Sequence, residues 1–112
     1  MWWSILFSVI TMENADAIMD EYYGEHIVTA LIGITCDTAE IENVSRALVS
    51  YNNVEDVFLT TGDYDIFLKV KFLKYSDLKN FILNEISKLK GITKTETMMV
   101  VSTYKERGIK FE

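Results

Sequence analysis

The segment VEDVFLTTGDYDIFLKVKF, residues 54–72, decides the fold of this chain. Its two halves are rich in β-branched and aromatic residues, and the Gly62-Asp63 pair between them is typical of a tight turn. The segment therefore predicts a hairpin with strands over residues 54–61 and 64–72. One side of the second strand should face a hydrophobic core, because apolar residues alternate along it at Ile66, Leu68, Val70 and Phe72.

A strand and a helix precede this hairpin. HIVTALIGIT, residues 26–35, is rich in β-branched residues and predicts the first strand. Asp37 and Glu40 stand three residues apart, as a helix N-cap and its capping-box partner do, and Asn52-Asn53 is typical of a helix end. The helix between these signals has a single apolar stripe, formed by Ile41, Val44, Leu48 and Tyr51.

A second helix and a fourth strand follow the hairpin. We expect Ser76 to cap this helix and Gly91 to end it, with a strand within residues 92–104. The apolar positions of the helix recur at helical spacing: Leu78, Phe81, Ile82, Ile86 and Leu89. The order β-α-β-β-α-β predicts an α+β, ferredoxin-like fold, in which both helices cover one face of a four-stranded antiparallel sheet.

The second face of that sheet needs a cover as well. The first strand has apolar residues on both parities, and the fourth contains a consecutive apolar run over residues 98–101. Because the pattern predicts no further helices in residues 26–105, a second copy of the chain is the expected cover. We therefore predict a homodimer through the sheet faces, which is a dimeric α+β barrel.

Composition excludes several classes of function. The chain has 112 residues and a formal net charge of −6, with 11 basic against 17 acidic residues and no basic run, which disfavours direct nucleic-acid binding. One cysteine, Cys36, and one histidine, His26, provide neither a disulfide framework nor a zinc site. We expect a reducing cytoplasm, no metal and no cofactor, with structural roles for both residues.

The ends of the chain lie outside the predicted domain of residues 26–105. The leading run MWWSILFSVITM has about ten apolar residues, whereas a membrane-spanning helix needs about 20, so we expect no membrane association. Residues 1–25 could be a segment that packs in an oligomer, a signal peptide or anchor, or a leader ahead of a start at Met12. Residues 106–112 are expected to be an exposed tail.

Asp65 is the residue that a turn alone does not explain. Asp is a poor strand former, yet Asp65 begins a strand on the parity of Phe67 and Lys69, away from the core-facing aliphatics. We expect it to face the partner subunit, where a carboxylate needs a hydrogen-bond donor or a bound cation. Thr95 and Thr97 are either ordinary strand residues or polar contacts in a pocket between subunits.

Two segments give the chain a family resemblance. NNVEDVFLTTGDYDIFLKV, residues 52–70, contains a strand leading into T-G-x-Y-D, and GITKTETMMVVS, residues 91–102, fits the pattern G-(V/I)-x-x-T-x-T before an aliphatic strand. Residues from about 26 to 105 thereby resemble the effector-binding RAM domain of the Lrp/AsnC, or feast/famine, transcription regulators.

The resemblance implies a small effector, usually an amino acid, bound where subunits meet in dimers, tetramers or octamers. It places ligand contacts at Thr60, Thr61, Gly62, Asp63, Tyr64, Asp65, Thr95 and Thr97. The regulators of this family carry a helix-turn-helix domain before the RAM domain, and about 25 residues are too few for one. We therefore expect a stand-alone effector module that does not itself bind DNA, with a full-length paralogue as a possible partner.

Two other functions compete with effector binding. Dimeric α+β barrels include small monooxygenases and isomerases, which enclose a pocket with a histidine or carboxylate between sheet and helices. Here the predicted core positions are uniformly apolar, which argues against an enzyme. A purely structural assembly domain is the third possibility.

Self-association is the first testable expectation. Because both faces of the predicted sheet are apolar at its centre, light scattering at micromolar concentration should give at least twice the chain mass of 12.9 kDa. A well-folded monomer at that concentration would contradict the prediction.

Overall fold

The computed structural model of this protein describes residues 27–111. The predictions made for residues 1–25 and for His26 lie outside the described residues. No helix within residues 27–111 has both the length and the apolar character that crossing a bilayer requires.

The elements follow the predicted order, with a small hairpin added at the end. A short 3-10 turn at Thr38–Glu40 leads into the first helix, and the second helix continues through a π-helical turn, Phe81–Glu85, and a 3-10 turn, Ile86–Lys88. The strands and helices are β1 Val28–Cys36, α1 Ile41–Val49, β2 Val54–Leu59, β3 Ile66–Phe72, α2 Tyr75–Asn80, β4 Ile92–Met99, β5 Lys105–Glu106 and β6 Ile109–Lys110.

The sheet has the strand order β2-β3-β1-β4, and each neighbouring pair is antiparallel. The two longest central pairings join β1 to β3 from Val28 with Phe72 to Ile34 with Ile66, and β1 to β4 from Ala30 with Met99 to Cys36 with Ile92. The predicted ferredoxin-like α+β fold is confirmed.

One core lies between the sheet and the two helices. Alternate residues of β3, from Ile66 to Phe72, are buried together with the alternate residues of β1, while Val44 and Leu48 of α1 and Leu78 of α2 pack on them. The residues of opposite parity, such as Phe67, are only half-buried and lie on the other side, called here the open face. The parity predicted for β3 is therefore confirmed.

Ser76 is wrong as a helix cap, whereas Asp37 takes the predicted N-cap position, at the 3-10 turn Thr38–Glu40, without the predicted side-chain bond. Helix α2 begins at Tyr75, whose ring is buried, so Lys74 rather than Ser76 takes the N-cap position. Before α1, the side chain of Asp37 makes no capping hydrogen bond; its backbone carbonyl accepts the N–H of Glu40 instead. The N–H of Asp37, which a capping box would give to the side chain of Glu40, donates to the carbonyl of Gly91 at 2.9 Å instead.

The turn that follows the 3-10 turn Ile86–Lys88, where the second helical segment ends, contains the predicted glycine. Gly91 has a φ of +99°, in the left-handed region that glycine tolerates best, as expected after a helix end. Helix α1, in contrast, ends at Val49, three residues before Asn52. The carbonyl of Asn53 accepts the N–H of Lys71, and its side-chain amide donates to the carbonyl of Lys71, so Asn53 extends the β2–β3 pairing instead.

A short hairpin forms near the end of the described residues, in the segment predicted to be an exposed tail. Lys105 pairs with Lys110, and Glu106 pairs with Ile109. The carboxylate of Glu106 lies 2.7 Å from Nζ of Lys69 and 3.3 Å from Nζ of Lys71, which attaches the hairpin to the open face of β3.

Acidic residues of β2 complete this ion cluster. Lys69 Nζ also lies 3.3 Å from Asp56 and 3.7 Å from Glu55, and Glu55 accepts Arg107 of the hairpin at 3.4 Å. The side chains of Lys69 and Glu106 are only 17% and 22% exposed. Three cations and three carboxylates therefore neutralise one another on the β2–β3 half of the open face.

The core makes one prediction about stability. Leu68 is fully buried on β3, whereas Leu59 on β2 is 66% exposed. We expect Leu68→Ala to lower the free energy of unfolding by about 2–5 kcal/mol, because it leaves a cavity. Leu59→Ala, the matched control, should change it by no more than about 0.5 kcal/mol. Urea denaturation measures both, and equal effects would place the core elsewhere.

The ion cluster makes a second prediction, about pH. The hydrogen bond from Lys69, together with that from Lys71, holds the pKa of Glu106 below its usual value, against an opposing effect of burial. A carboxylate with a lowered folded pKa stabilises the folded state above its unfolded pKa, about 4.3, and loses that contribution as the pH falls further through the folded value.

Glu106→Gln should therefore destabilise the hairpin at neutral pH and flatten the loss of stability below about pH 4.3. At pH 7 the variant should also be cut faster by trypsin after Lys105 and Arg107, since the hairpin is released from Lys69. Glu96→Gln, on β4 outside the cluster, is the control. Equal trypsin sensitivity in both variants would show that the cluster does not hold the hairpin.

Candidate functional site

The connection between β2 and β3 is a six-residue loop, residues 60–65, rather than the predicted two-residue turn. The N–H of Thr60 donates to the carbonyl of Asp65 at 3.0 Å, and its hydroxyl donates to the carbonyl of Tyr64 at 2.7 Å. Gly62 has a φ of +110°, which explains a glycine at this position. These hydrogen bonds join the two ends of the loop, so both strands are shorter than predicted.

This loop is attached to the end of β1. The N–H of Asp65 donates to the carbonyl of Ile34 at 2.9 Å, which continues the β1–β3 ladder by one bond. The hydroxyl of Thr35 also donates to the carbonyl of Asp63, at a longer distance of 3.4 Å. The loop is therefore fixed at both of its last two peptide groups while Thr61, Gly62 and Asp63 stay exposed.

The carboxylate of Asp65 has a partner within the chain. Its Oδ2 accepts the backbone N–H of Cys36 at 3.0 Å, where β1 ends. Asp65 therefore has a hydrogen-bond donor within its own chain, whereas the sequence predicted a partner where two subunits meet. A carboxylate has two oxygens and accepts several hydrogen bonds, so the bond to Cys36 leaves Asp65 further acceptor capacity.

Tyr64 lies over the middle of β1. Its ring carbons occupy the space above Gly33 on the open face, and its ring centroid is 6.4 Å from that of Phe67. Gly33 was missed as a site residue. A glycine inside a β-branched strand often marks the close approach of another group, and that signal was available in HIVTALIGIT.

Thr95 and Thr97 lie two strands away from the loop. Thr95 pairs with Ile34, which in turn pairs with Ile66, so Thr95 is about 10 Å from the first residue of β3 at the same end of the sheet. Thr97 pairs with Ile32, one step further from that end. Paired residues share a sheet face, so both threonines lie on the helix side, whereas Tyr64 lies on the open face.

Lys94 is a further residue that the sequence did not single out. It pairs with Thr35 at the end of β1, which places it on the open face at the same end as the loop. The neighbouring hydroxyl of Thr93 donates to the carbonyl of Thr35 at 3.0 Å and fixes the start of β4 there. A cationic side chain therefore lies on the opposite side of β1 from Asp65.

The pKa of the Cys36 thiol reflects the charges at this end of the sheet. Burial, followed by the negative charges of Asp65, Asp37 and Glu40, raises the pKa of the thiol. The thiol is 7% exposed, which agrees with the structural role expected for it. Three carboxylates thus act on one point where β1 ends, a setting that favours a cationic group such as an ammonium.

Within residues 27–111, no group of three or more histidine, cysteine, aspartate or glutamate side chains is arranged to hold a metal ion. The described residues instead form a polar loop fixed to β1, three carboxylates near Cys36, and the ring of Tyr64 on the open face.

A family model described as the Lrp/AsnC ligand binding domain matches residues 29–109. The HTH-type transcriptional regulator FL11 of Pyrococcus furiosus is 33% identical over 79 residues, which cover 70% of this chain and 52% of FL11. FL11 of Pyrococcus horikoshii is 32% identical over 90 residues, covering 80% and 59%. The chain thus spans about half to three fifths of the length of these curated relatives.

Solved structures agree with this match. AsnC of Escherichia coli is 28% identical with a TM-score of 0.69, over 93% of this chain and 69% of AsnC. The protein FFRP-DM1 is 30% identical with a TM-score of 0.63, over 65% of this chain and 97% of that one. A transcriptional regulator of Neisseria meningitidis, solved as a complex with L-Met, is 16% identical with a TM-score of 0.68, over 89% and 61%, and shows the fold alone.

The T-G-x-Y-D loop, the strand order and the match over residues 29–109 agree with one another. The chain belongs to the family of Lrp/AsnC ligand-binding domains, which are regulatory modules of transcription regulators.

Proposed function

We propose that this protein is an amino-acid-binding module that self-associates and acts in transcription regulation without enzymatic activity. The observation that carries the proposal is the loop of residues 60–65, fixed to the end of β1 by the bonds of Asp65 while its tip stays exposed. A fixed polar loop binds a small ligand without a large loss of conformational entropy.

The charges at this end of the sheet suit a zwitterion. Asp65, with Asp63 beside it, would accept the ammonium group of the effector. The hydroxyl of Thr61, the N–H groups at the loop tip and the side chain of Lys94 would donate to its carboxylate. The solved complex of the Neisseria meningitidis regulator with L-Met shows that this fold has been found with an amino acid.

Thr95 and Thr97 would contribute to the effector site only where a second chain takes part in it. They lie on the helix side of β4, an edge strand, and Tyr64 lies on the open face, so one chain does not bring them together. A site that uses both groups would form where two subunits meet.

Self-association through the open face is part of the proposal. Leu31, Phe67 and Met98 are half-buried there in the single chain, and Phe58 of β2 is 54% exposed. An apolar sheet face of this kind favours a second copy, and further assembly to tetramers or octamers would follow from contacts between dimers. A full-length regulator of the same family is a proposed partner through mixed oligomers.

The effector is tested by thermal shift and calorimetry against the twenty amino acids. Binding at 100 times the dissociation constant should stabilise the protein by about 2.7 kcal/mol and raise its melting temperature accordingly. Asp65→Ala and Tyr64→Ala should abolish that rise with the oligomer unchanged.

The control is Asp63→Ala, an exposed carboxylate at the loop tip, which should weaken binding less than Asp65→Ala does. Because Asp65→Ala also removes the bond to Cys36, its own melting temperature without effector is measured as the baseline. If no amino acid stabilises the wild-type protein, the sensing proposal fails in favour of a purely structural assembly role.

A further inference from the structure

Gly33 lies in the middle of β1, where glycine is normally unfavourable. It pairs with Phe67 on one side and Glu96 on the other, so it is fully within the sheet. Glycine in a strand interior has no side chain to pack and loses more chain entropy on folding than other residues. Its φ is not in the left-handed region, unlike that of Gly62, so backbone conformation does not explain it.

The close approach of Tyr64 does explain it. A Cβ atom at Gly33 would lie 2.7 Å from Cδ1 and 2.8 Å from both Cε1 and Cγ of the Tyr64 ring. Real Cβ atoms essentially never come within 3.0 Å of another heavy atom. The ring and any side chain at position 33 therefore exclude each other.

The ring has little freedom to move away while the loop keeps its shape. The carbonyl of Tyr64 accepts the hydroxyl of Thr60, and the next N–H, that of Asp65, donates to Ile34. The peptide group that joins Tyr64 to Asp65 is thus held at both its carbonyl, by Thr60 of the loop, and its N–H, by β1. Moving the ring off β1 would require a rotation of the Tyr64 side chain or the loss of these bonds.

We propose that Gly33 is a positioning residue of the effector site. Because Gly33 has no side chain, the Tyr64 ring lies directly against β1. The ring then shapes the side of the effector site that lies on the open face, beside Asp65. The contact between Gly33 and Tyr64 stands on the geometry alone, whereas its role toward a ligand rests on the proposed function.

A double-mutant cycle tests this role. Replacing a strand glycine by alanine normally raises stability, because alanine loses less entropy on folding. Gly33→Ala should instead lower the melting temperature in the wild-type protein, since the new methyl group displaces the ring. In the Tyr64→Ala background the same substitution should be neutral or raise the melting temperature.

The proposal requires that Gly33→Ala lowers the melting temperature of the wild-type protein and does not lower that of Tyr64→Ala. An equal fall in both backgrounds would overturn the proposal, because Gly33 would then act through its own backbone or another neighbour. Thr29→Ala is the matched control, another open-face position of β1, and should behave alike in both backgrounds. Gly33→Ala, but not Thr29→Ala, should also weaken effector binding, by about tenfold or more if a polar contact of the site is lost with the ring position.

A second measurement applies even if Gly33→Ala does not fold. Protons that lie above an aromatic ring face resonate at high field, so an α-proton of Gly33 should be shifted upfield in the native protein. Tyr64→Leu should return that resonance to the ordinary glycine range, and Phe67→Leu should leave most of the shift in place. An unshifted Gly33 signal in the native protein would overturn the proposal.

The two proposals fail in distinguishable ways. If the wild-type protein binds no amino acid, the proposed function is wrong, while the melting temperatures and the Gly33 resonance still decide whether Gly33 positions Tyr64. If binding is present and unchanged in Gly33→Ala, the positioning role toward the effector is wrong.

Discussion

The antiparallel pairing of β1 with β3 is the interaction on which the rest of this structure depends. It buries alternate residues of both strands under the helices and brings Ile34 opposite Ile66 at one end. Beyond that pair, the ladder continues into the loop through the bond from Asp65 to Ile34, and the Asp65 carboxylate then accepts the N–H of Cys36. Core and candidate site are consequently parts of one hydrogen-bonded unit, and a slip in the register of β1 would disturb both.

The open face has two halves with different properties. Over β2 and β3, the ion cluster of three cations, Lys69, Lys71 and Arg107, and three carboxylates is locally neutral and attaches the last hairpin. Over β1 and β4, Leu31 and Met98 are half-buried, and the ring of Tyr64 covers Gly33. Charged groups that are already paired resist further burial less than unpaired ones do, so the cluster is compatible with an interface.

Much of the fold was predictable because its signals are local. The alternation of Ile66, Leu68 and Val70 and the stripe of Val44 and Leu48 indicated which faces meet in the core, and the order of the elements indicated the ferredoxin-like fold; the structure confirms both. Ser76 is not the helix cap because burial of Tyr75 moves that helix start. Asp37 takes its predicted N-cap position, but the capping box with Glu40 is absent, since the N–H of Asp37 donates to the carbonyl of Gly91. The loop length failed because Thr60 and Asp65 bond across its base, a contact that turn statistics do not describe.

The candidate site was predictable only as a list of residues. The motif T-G-x-Y-D indicated the loop, but the sequence could not show that Asp65 bonds to Cys36, since that pairing joins residues 29 positions apart. Nor could it show that Tyr64 and Thr95 lie on opposite faces, which depends on the register of β1 with β4. Gly33 carried a visible signal, a glycine in a β-branched strand, whose meaning appears only when the ring is seen above it.

The central claim is that a small effector binds at the loop fixed to the end of β1. Amide NMR spectra of the isotope-labelled protein, recorded during titration with the amino acid that stabilises it, test this most directly. We expect the largest shift changes at residues 60–65 and 33–36, with smaller ones near Lys94 and Thr95. Changes confined to the helices or to the last hairpin, with the loop amides unmoved, would contradict the claim.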